Sequence, residues 1–285
     1  MTRLFIFTAM ISLWCGCTLI DSDQPNPAYL NIDSVSVALK SDQGEPTHKL
    51  SDVWVYADNQ LLGVFEVPAR IPIIPNAETT ELRISPGFRN NGERSRSFIY
   101  NLMHSVDRAV ALQPGDQITI NPVFSYQEDI IFDFIESFEG GGNLLTLDLD
   151  ENLQTNVVNT SEDKRSGSKS GKIALTTENS EIRVGTVFEY DRANNAGVDT
   201  YLEMDYKNDV PFFVGCIYVQ DGQEVTQPML VLNPSEEWNK IYVDFTSILS
   251  SPAIETYRVF FTTDIEPVGV EQGTIYLDNL KFIHL

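Results

Sequence analysis

The chain has 285 residues, of which 42% are hydrophobic and 21% are charged, a composition that excludes a mostly disordered chain, a collagen-like chain and a coiled coil. Its 41 Asp and Glu residues outnumber its 19 Lys and Arg residues, which gives a net charge of −22. A chain this acidic has few cations with which to neutralise phosphates, so we expect no nucleic-acid binding. Its length allows two domains.

The first residues have the pattern of an export signal. Arg3 precedes a run of apolar or small residues over 4–16, which is too short to span a hydrocarbon core of about 30 Å but suits the core of a signal peptide. Gly16-Cys17 closes the run. The segment resembles the signal of bacterial lipoproteins, in which a cysteine after a small residue is lipidated and becomes the mature N-terminus.

This resemblance implies a signal peptide over 1–16 and a lipid on Cys17. The protein would then be attached to the bacterial outer membrane through the lipid anchor only, on its periplasmic side or at the cell surface. A plain secretory signal that is cut nearby is the alternative. Residues 17–28 are polar and contain two prolines, which predicts a tether between the anchor and the first domain.

Cysteine content agrees with an exported chain that folds without disulfides. Cleavage before Cys17 would discard Cys15 and leave Cys216 as the remaining unmodified thiol, so no internal disulfide is expected. Cys216 lies in the apolar run 212–218. This position predicts a buried, unreactive thiol.

The region up to residue 127 is predicted to consist of strands, because short alternating or aromatic-rich runs are separated by Gly, Pro, Asn and Asp. The predicted strands are 30–39, 52–57, 61–67, 80–85, 97–102, 109–112 and 117–126. Asp58-Asn59-Gln60 predicts a hairpin turn. This density of strands is typical of an immunoglobulin-like sandwich, which we predict over 29–127. Residues 52–63, with the prolines that follow, resemble PEGA-type surface modules, which implies a small structural β-domain.

A change in composition near Asp129 marks a second domain. Phenylalanines alternate with acidic residues from 132 to 138, and Gly140-Gly141-Gly142 then interrupts the strand. The further predicted strands are 171–176, 184–190, 201–207, 212–220, 229–232, 239–244, 256–262 and 273–283.

The segments 135–140, 201–207, 238–245, 257–261 and 273–280 together resemble the galactose-binding-like jelly roll of many carbohydrate-binding modules. The resemblance implies a jelly-roll β-sandwich over 128–285. The predicted fold class is therefore all-β, with two β-sandwich domains in tandem, the first immunoglobulin-like and the second a jelly roll. One fold serves many functions, so the resemblance by itself does not assign a ligand.

Catalytic motifs are sparse. The histidines are His48, His104 and His284, and the sequence has neither a G-x-S-x-G elbow nor an H-x-x-x-H pair. Pairs of carboxylates arise by chance among 41 acidic residues, so they do not favour glycoside hydrolysis. We therefore predict that the protein is not an enzyme, and a glycoside-active enzyme ranks third among the candidate functions.

Calcium is the cation that the chain could best hold, because oxygen ligands are plentiful. The jelly-roll resemblance implies a structural ion that joins the first strand to the last, held by Glu139 and Asp278, with Glu136 as an alternate ligand. The opposing interpretation is that Glu139 is a solvated turn residue and that Asp278 caps a bulge. Both interpretations are open from the sequence.

A candidate ligand face lies on the predicted strand 201–207. Alternation places Tyr201, Glu203, Asp205 and Lys207 on one face, with Tyr190 at a neighbouring loop edge. The opposite, apolar face carries Leu202, Met204 and Tyr206. Tyrosine and charged groups on one face suit stacking on a sugar ring and bonding of its hydroxyls, although such faces are also simply solvated. The sequence thus predicts a non-catalytic glycan-binding envelope protein, and the alternative is a structural or accessory subunit of an outer-membrane protein assembly.

Overall fold

The structure is a computed structural model that describes residues 26–75, 77–192 and 197–285. The predicted signal peptide over 1–16, Cys17 and most of the predicted tether lie outside the described residues. Within the described ranges, no helix is long and apolar enough to cross a membrane. We use "first domain" for the residues up to 127 and "second domain" for those from 128 onward.

The first domain consists of short strands, as predicted. They are β1 (Ala28–Ile32), β2 (Ser36–Val37), β3 (Asp52–Ala57), β4 (Gln60–Glu66), β5 (Ala69–Ile73), β6 (Thr80–Phe88), β7 (Phe98–Ile99), β8 (Val106–Val110), β9 (Gln117–Thr119) and β10 (Val123–Phe124). One sheet has the order β4-β3-β6-β7, with β8 also paired to β6. A second has the order β5-β1-β9, and β2 pairs with β10.

Local turn chemistry explains where these strands begin and end. Asp58 and Asn59 have φ angles of 48° and 63°, as the type I′ hairpin turn requires, so the predicted turn between β3 and β4 is confirmed. The predicted strand over 30–39 is instead divided into β1 and β2, because the side chain of Asn121 accepts the backbone N–H groups of Asp33 and Ser34. The strand β5 is not among the predicted strands. It contains Pro72, which is tolerated here because β5 lies at a sheet edge.

The second domain is also built of strands, with one short helix. The strands are β11 (Ile131–Glu136), β12 (Leu145–Asp148), β13 (Val158–Thr160), β14 (Ser170–Thr176), β15 (Glu181–Thr186), β16 (Tyr190–Asp191), β17 (Thr200–Asn208), β18 (Phe212–Gln220), β19 (Gln223–Leu232), β20 (Ser235–Asp244), β21 (Ile254–Asp264) and β22 (Gln272–His284). The helix is α1 (Thr246–Leu249). The all-β prediction is confirmed.

Two sheets form the sandwich of the second domain. The interface sheet has the order β13-β14-β22-β17-β20, with β11 also paired to β22. The outer sheet has the order β12-β15-β21-β18-β19, with β16 also paired to β21. Side chains from both sheets meet in one hydrophobic core, including Leu202, Met204, Cys216, Phe261 and Phe282. Period-two alternation along each strand places these residues inside.

The two domains share buried surface. The core of the first domain contains three side chains of the second domain, namely Tyr201, Tyr242 and Ile283. They project from β17, β20 and β22, on the face of the interface sheet that points away from the second domain's own core. The first domain therefore covers part of the interface sheet, and outward side chains farther along that face, such as Trp238 and Tyr276, remain partly exposed.

Cys216 lies inside the second domain, as predicted. Its side chain is fully buried on β18. Burial raises the pKa of the thiol to about 12. The thiolate, which is the reactive form, is therefore disfavoured.

Candidate functional site

The predicted ligand face on β17 is largely buried against the first domain. Tyr201, Glu203 and Asp205 are 7%, 1% and 0% exposed, so the prediction that these three side chains face solvent is wrong. Lys207 lies farther along the strand and is half-buried. The alternation itself is as predicted, because Leu202, Met204 and Tyr206 fill the core of the second domain. The alternation predicts the polar face correctly, but it does not show that the first domain covers this face.

Glu203 is the centre of a buried polar cluster between the domains. Its Oε1 accepts hydrogen bonds from the hydroxyls of Tyr100 at 2.6 Å and Tyr126 at 2.7 Å, and the amine of Lys240 lies 3.2 Å from its Oε2. Burial opposes ionisation of this carboxyl, but Lys240, Lys281 and the two hydroxyls outweigh burial and hold the pKa of Glu203 below its ordinary value. The carboxylate therefore joins the two domains.

Asp205 makes similar contacts across the boundary. Its Oδ2 accepts hydrogen bonds from the Thr47 hydroxyl at 2.6 Å and from the Asn279 amide at 3.0 Å. Lys281, on the neighbouring strand, donates to the carbonyl oxygen of Glu45 at 2.8 Å. The polar face that the sequence suggested for a ligand is thus engaged by the protein's own groups.

Tyr190 also has an internal role. It lies on β16 in the outer sheet, where its ring packs at 5.7 Å from both Phe134 and Tyr257. Burial raises its pKa to about 12. Because β16 and β17 belong to different sheets, the structure does not combine Tyr190 with Lys207 in one strand face.

The uncovered half of the interface sheet carries a row of side chains that crosses four adjacent strands. Lys172 on β14 pairs in register with Tyr276 on β22, and Tyr276 pairs with Lys207 on β17. Trp238 on β20 completes the row, since Tyr206 pairs with the adjacent Asn239. We call Lys172, Tyr276, Lys207 and Trp238 the cross-strand row.

The aromatic rings of this row lie close together and are partly exposed. The Trp238 and Tyr276 ring centroids are 6.4 Å apart with an interplanar angle of 51°. The amine of Lys172 lies 5.9 Å from the centroid of the Tyr276 ring. Trp238 and Tyr276 are not among the ligand residues predicted from the sequence. Each of them alternates along its strand with buried residues and therefore points outward, and this alternation is the sequence signal that could have identified them.

Two carboxylates of the loop before β14 form ion pairs with the lysines of the cross-strand row. Glu162 forms an ion pair with Lys172, and Asp163 forms one with Lys207 at 2.7 Å. Asp163 also accepts a hydrogen bond of 2.8 Å from the indole N–H of Trp238. Beside the row, a cleft of about 220 Å³ is lined by Lys207, Asn208, Asp209, Pro234, Ser235, Glu236, Thr274 and Tyr276.

The carboxylates that were predicted to bind calcium accept hydrogen bonds from backbone N–H groups. Glu139 accepts the N–H groups of Ser168 and Lys169 at 2.7 and 2.9 Å. Asp278 accepts those of Arg165 and Ser166 at 3.0 and 3.2 Å. Both carboxylates therefore fix the loop over 162–169, which also carries the two acidic residues of the cross-strand row.

Glu136, the alternate calcium ligand, is engaged in the same way. Its two oxygens accept the backbone N–H groups of Phe138 at 2.6 Å and Leu144 at 2.7 Å. The part of the chain that the structure describes has no group of three or more His, Cys, Asp and Glu side chains arranged to hold a metal ion. The calcium ion of Glu139 and Asp278 stays a prediction.

Comparison with known proteins finds similarity only in structure. No protein family and no curated protein is matched by the sequence. Among solved structures, the xylan-binding domain of CBM 22 is similar at 15% identity and a TM-score of 0.37, over 53% of this chain and 93% of that chain. The CBM22-1 xylan-binding domain from Paenibacillus barcinonensis Xyn10C is similar at 14% identity and a TM-score of 0.39, over 54% and 94%. A family 30 carbohydrate-binding module is similar at 12% identity and 0.36, over 56% and 85%. At such identities and TM-scores, these similarities carry no conclusion about ligand or activity.

Proposed function

We propose that the protein is a lipid-anchored binding protein of the cell envelope that holds a glycan without cleaving it. The observation that carries this proposal is the cross-strand row on the uncovered half of the interface sheet. Two adjacent, partly exposed rings offer the apolar surface on which a sugar ring stacks, and the charged groups beside them can bond its hydroxyls. The neighbouring cleft gives a second sugar unit a place beside the row.

The charges of the row favour a neutral glycan. Its two lysines are balanced by Glu162 and Asp163, each in an ion pair. These pairs hold the long lysine side chains in fixed positions, which lowers the entropy that a ligand must remove on binding. A neutral, hydroxyl-rich ligand can accept and donate hydrogen bonds at their edges without breaking either pair.

Neither carboxylate beside the cross-strand row suits the role of general acid in glycoside hydrolysis. The hydrogen bond and charge of Lys172 hold the pKa of Glu162 below its ordinary value. Burial opposes ionisation of Asp163, but hydrogen bonds from Lys207 and Trp238 outweigh it and lower the pKa of that carboxyl. Glycoside hydrolysis requires a carboxylic acid that is protonated at working pH, which needs a raised pKa.

Membrane attachment in this proposal depends on Cys17. One lipid chain holds a protein only marginally, whereas two chains hold it stably. Replacing Cys17 by Ser should therefore move the protein from the membrane fraction to the soluble fraction or leave an uncut precursor. A Cys17→Ser protein that is processed normally and still sediments with membranes would contradict the anchor.

Glycan binding is tested with the protein from residue 18 onward, on a glycan array and then by calorimetry with the best glycan. Tyr276→Ala removes the ring, and we expect it to weaken binding by about 0.5–1.5 kcal/mol. Tyr276→Phe keeps the ring and should retain most of the affinity. Phe188→Ala removes a ring that is 58% exposed near the outer sheet and serves as the control.

The result that would overturn the proposal is an array without any glycan bound above background. Equal binding by wild type, Tyr276→Ala and Trp238→Ala would place the glycan elsewhere and remove the role of the row. If no glycan binds and one outer-membrane protein co-purifies in stoichiometric amount, the accessory-subunit alternative replaces the proposal.

A further inference from the structure

A second open pocket lies at the boundary between the two domains. It has a volume of about 430 Å³, within the range of small-molecule sites, about 300–1,000 Å³. The first domain contributes Lys49, Ser51, Glu66, Arg89, Gly92 and Arg94, and the second contributes Lys240 and Tyr242. The cross-strand row shares no residue with it.

The pocket is basic, although the protein is strongly acidic. Four of the chain's 19 Lys and Arg residues line it, against a single carboxylate, that of Glu66. In a protein with a net charge of −22, this concentration of cations in one concave site is a local excess of positive side chains over negative ones. An excess of positive side chains attracts anions.

Two of these cations already have carboxylate partners. Arg89 forms an ion pair with Asp52 at 2.9 Å, and the buried amine of Lys240 lies 3.2 Å from Glu203. These pairs fix the inner wall of the pocket. The attraction of a further anion to this wall is correspondingly reduced.

Lys49 and Arg94, at the rim, lack such partners among the described residues. The amine of Lys49 donates to the neutral side-chain oxygen of Asn239 at 2.6 Å, and neither cation has a carboxylate within ion-pair distance in the described ranges. Burial, and then the charge of Arg94, lower the pKa of Lys49. The two rim cations repel each other, and an anion between them would relieve that repulsion.

A hydroxyl donor points to the same ligand class. Ser51 lines the pocket, and its buried Oγ has no hydrogen-bond partner among the described residues. A buried hydroxyl without a partner costs free energy that an oxygen acceptor of a ligand would recover. Close by, the Tyr242 hydroxyl accepts the backbone N–H of Lys49 at 3.0 Å, which fixes the position of that lysine.

The loop that carries Arg94 is held on the second domain. The backbone N–H of Asn91 donates to the carbonyl oxygen of Tyr242 at 2.9 Å, and the side chain of Asn91 accepts the N–H of Asp244 at 2.9 Å. The amide of Asn90 donates to the Asp244 carboxylate at 2.7 Å. The rim is thus arranged before a ligand arrives, which lowers the entropic cost of binding.

From these observations we propose that the interdomain pocket binds a ligand through an oxyanion, that is, a carboxylate, sulfate or phosphate group. Arg94 would hold the anion with its planar guanidinium, Lys49 would add a second charge, and the Ser51 hydroxyl would donate a hydrogen bond. This site goes beyond the proposed glycan binding at the cross-strand row and does not rest on it.

Calorimetry on the protein from residue 18 onward tests the proposal with four probes, namely D-galacturonate, D-galactose, inorganic sulfate and inorganic phosphate. We expect at least one anion to bind and neutral galactose not to bind at this site. Arg94→Ala should weaken anion binding by about tenfold or more, because hydrogen bonds to charged groups contribute about 1.5–3 kcal/mol. Lys49→Met should also weaken anion binding. Added chloride should weaken it too, because salt screens the attraction between the charges.

The control is Arg108→Ala, which removes the same charge from an exposed position on β8. It should bind the anions as wild type does, and unchanged melting curves should show that each variant is folded. Binding of galacturonate alone supports an acidic sugar, and binding of sulfate or phosphate alone supports a ligand that carries that group. Anion binding that is equal in wild type, Arg94→Ala and Lys49→Met, or absent from wild type, overturns the proposal. Trp238→Ala should leave anion binding unchanged even if glycan binding fails.

Discussion

The hydroxyl of Tyr100, in the first domain, donates a hydrogen bond of 2.6 Å to the buried carboxylate of Glu203, in the second. Tyr126 donates to the same oxygen at 2.7 Å. Glu203 therefore has its full set of partners only when the two domains are together. Its charged group connects the two domains, and the ligand surface that we propose lies elsewhere on the same sheet.

Replacement of Glu203 by Gln should strongly destabilise the protein. It removes the carboxylate nearest to the buried Lys240 ammonium, which then has only the more distant Asp205, at 3.9 Å, among the described residues, and the loss of one partner of a buried ion pair costs about 3–5 kcal/mol. Urea unfolding gives the change in the free energy of unfolding. Glu81→Gln, at an exposed position on β6, is the control. A Glu203→Gln protein as stable as this control would refute the role of the cluster.

Stability should increase as the pH rises above 8. Burial lowers the pKa of Lys281 from its ordinary 10.5 to about 8. Between these two values the unfolded chain binds the proton that the folded chain has lost, so this group makes the free energy of unfolding rise with pH, by up to about 1.4 kcal/mol per pH unit. Denaturant unfolding at several pH values measures this rise, and Lys281→Met should abolish it.

The rise should end near pH 9, where the Cys216 thiol begins to ionise in the unfolded chain but stays protonated in the folded one. Burial, and then the charge of Glu203, raise the pKa values of Tyr100 and Tyr126 well above their ordinary 10.0. The unfolded tyrosines then release protons that the folded ones retain, and stability falls. A free energy of unfolding that has the same pH dependence from pH 8 to pH 9 in wild type and in Lys281→Met would contradict the assignment.

Asp278 and Glu139 should each control a separate part of the loop over 162–169. Asp278→Ala removes the acceptor of the Arg165 and Ser166 amides, so amide hydrogen exchange should accelerate at these two positions. Glu139→Ala should do so at Ser168 instead. The two variants serve as controls for each other, and unchanged exchange in both would contradict this function of the carboxylates.

The same variants examine the predicted calcium ion. A melting temperature that increases with calcium in wild type and stays constant in Asp278→Ala would show that this carboxylate binds the ion as well.

Gly215→Ala should destabilise the outer sheet by about 1–3 kcal/mol. A Cβ at this position would overlap with the ring of Phe260 and with the backbone carbonyl oxygen of Gln227. The backbone oxygen cannot move aside as the end of a flexible side chain can. Gly141→Ala is the control, because its Cβ would meet no atom within 4 Å. Equal melting temperatures for the two variants would contradict the close approach.

Local sequence determined the strands and their inner faces. The Asp58-Asn59 turn fixes a hairpin because both residues tolerate positive φ. Along β17, alternation alone identified Leu202, Met204 and Tyr206 as core residues, since neighbouring side chains on a strand point to opposite faces. The buried Cys216 followed from its apolar neighbours in the same way.

Only the tertiary structure decided what covers the other face of β17. In the sequence, Glu203 and Asp205 look like solvent-exposed residues. A buried charge needs partners, and the residues near them in the sequence do not provide these partners. Tyr100 and Tyr126 lie 103 and 77 residues away from Glu203, and Thr47 lies 158 residues from Asp205. The cross-strand row likewise depends on contacts between residues that are far apart in the sequence. Trp238 and Tyr276 become neighbours only when β20 and β22 pair on either side of β17, because register between distant strands, and not local pattern, sets which side chains meet.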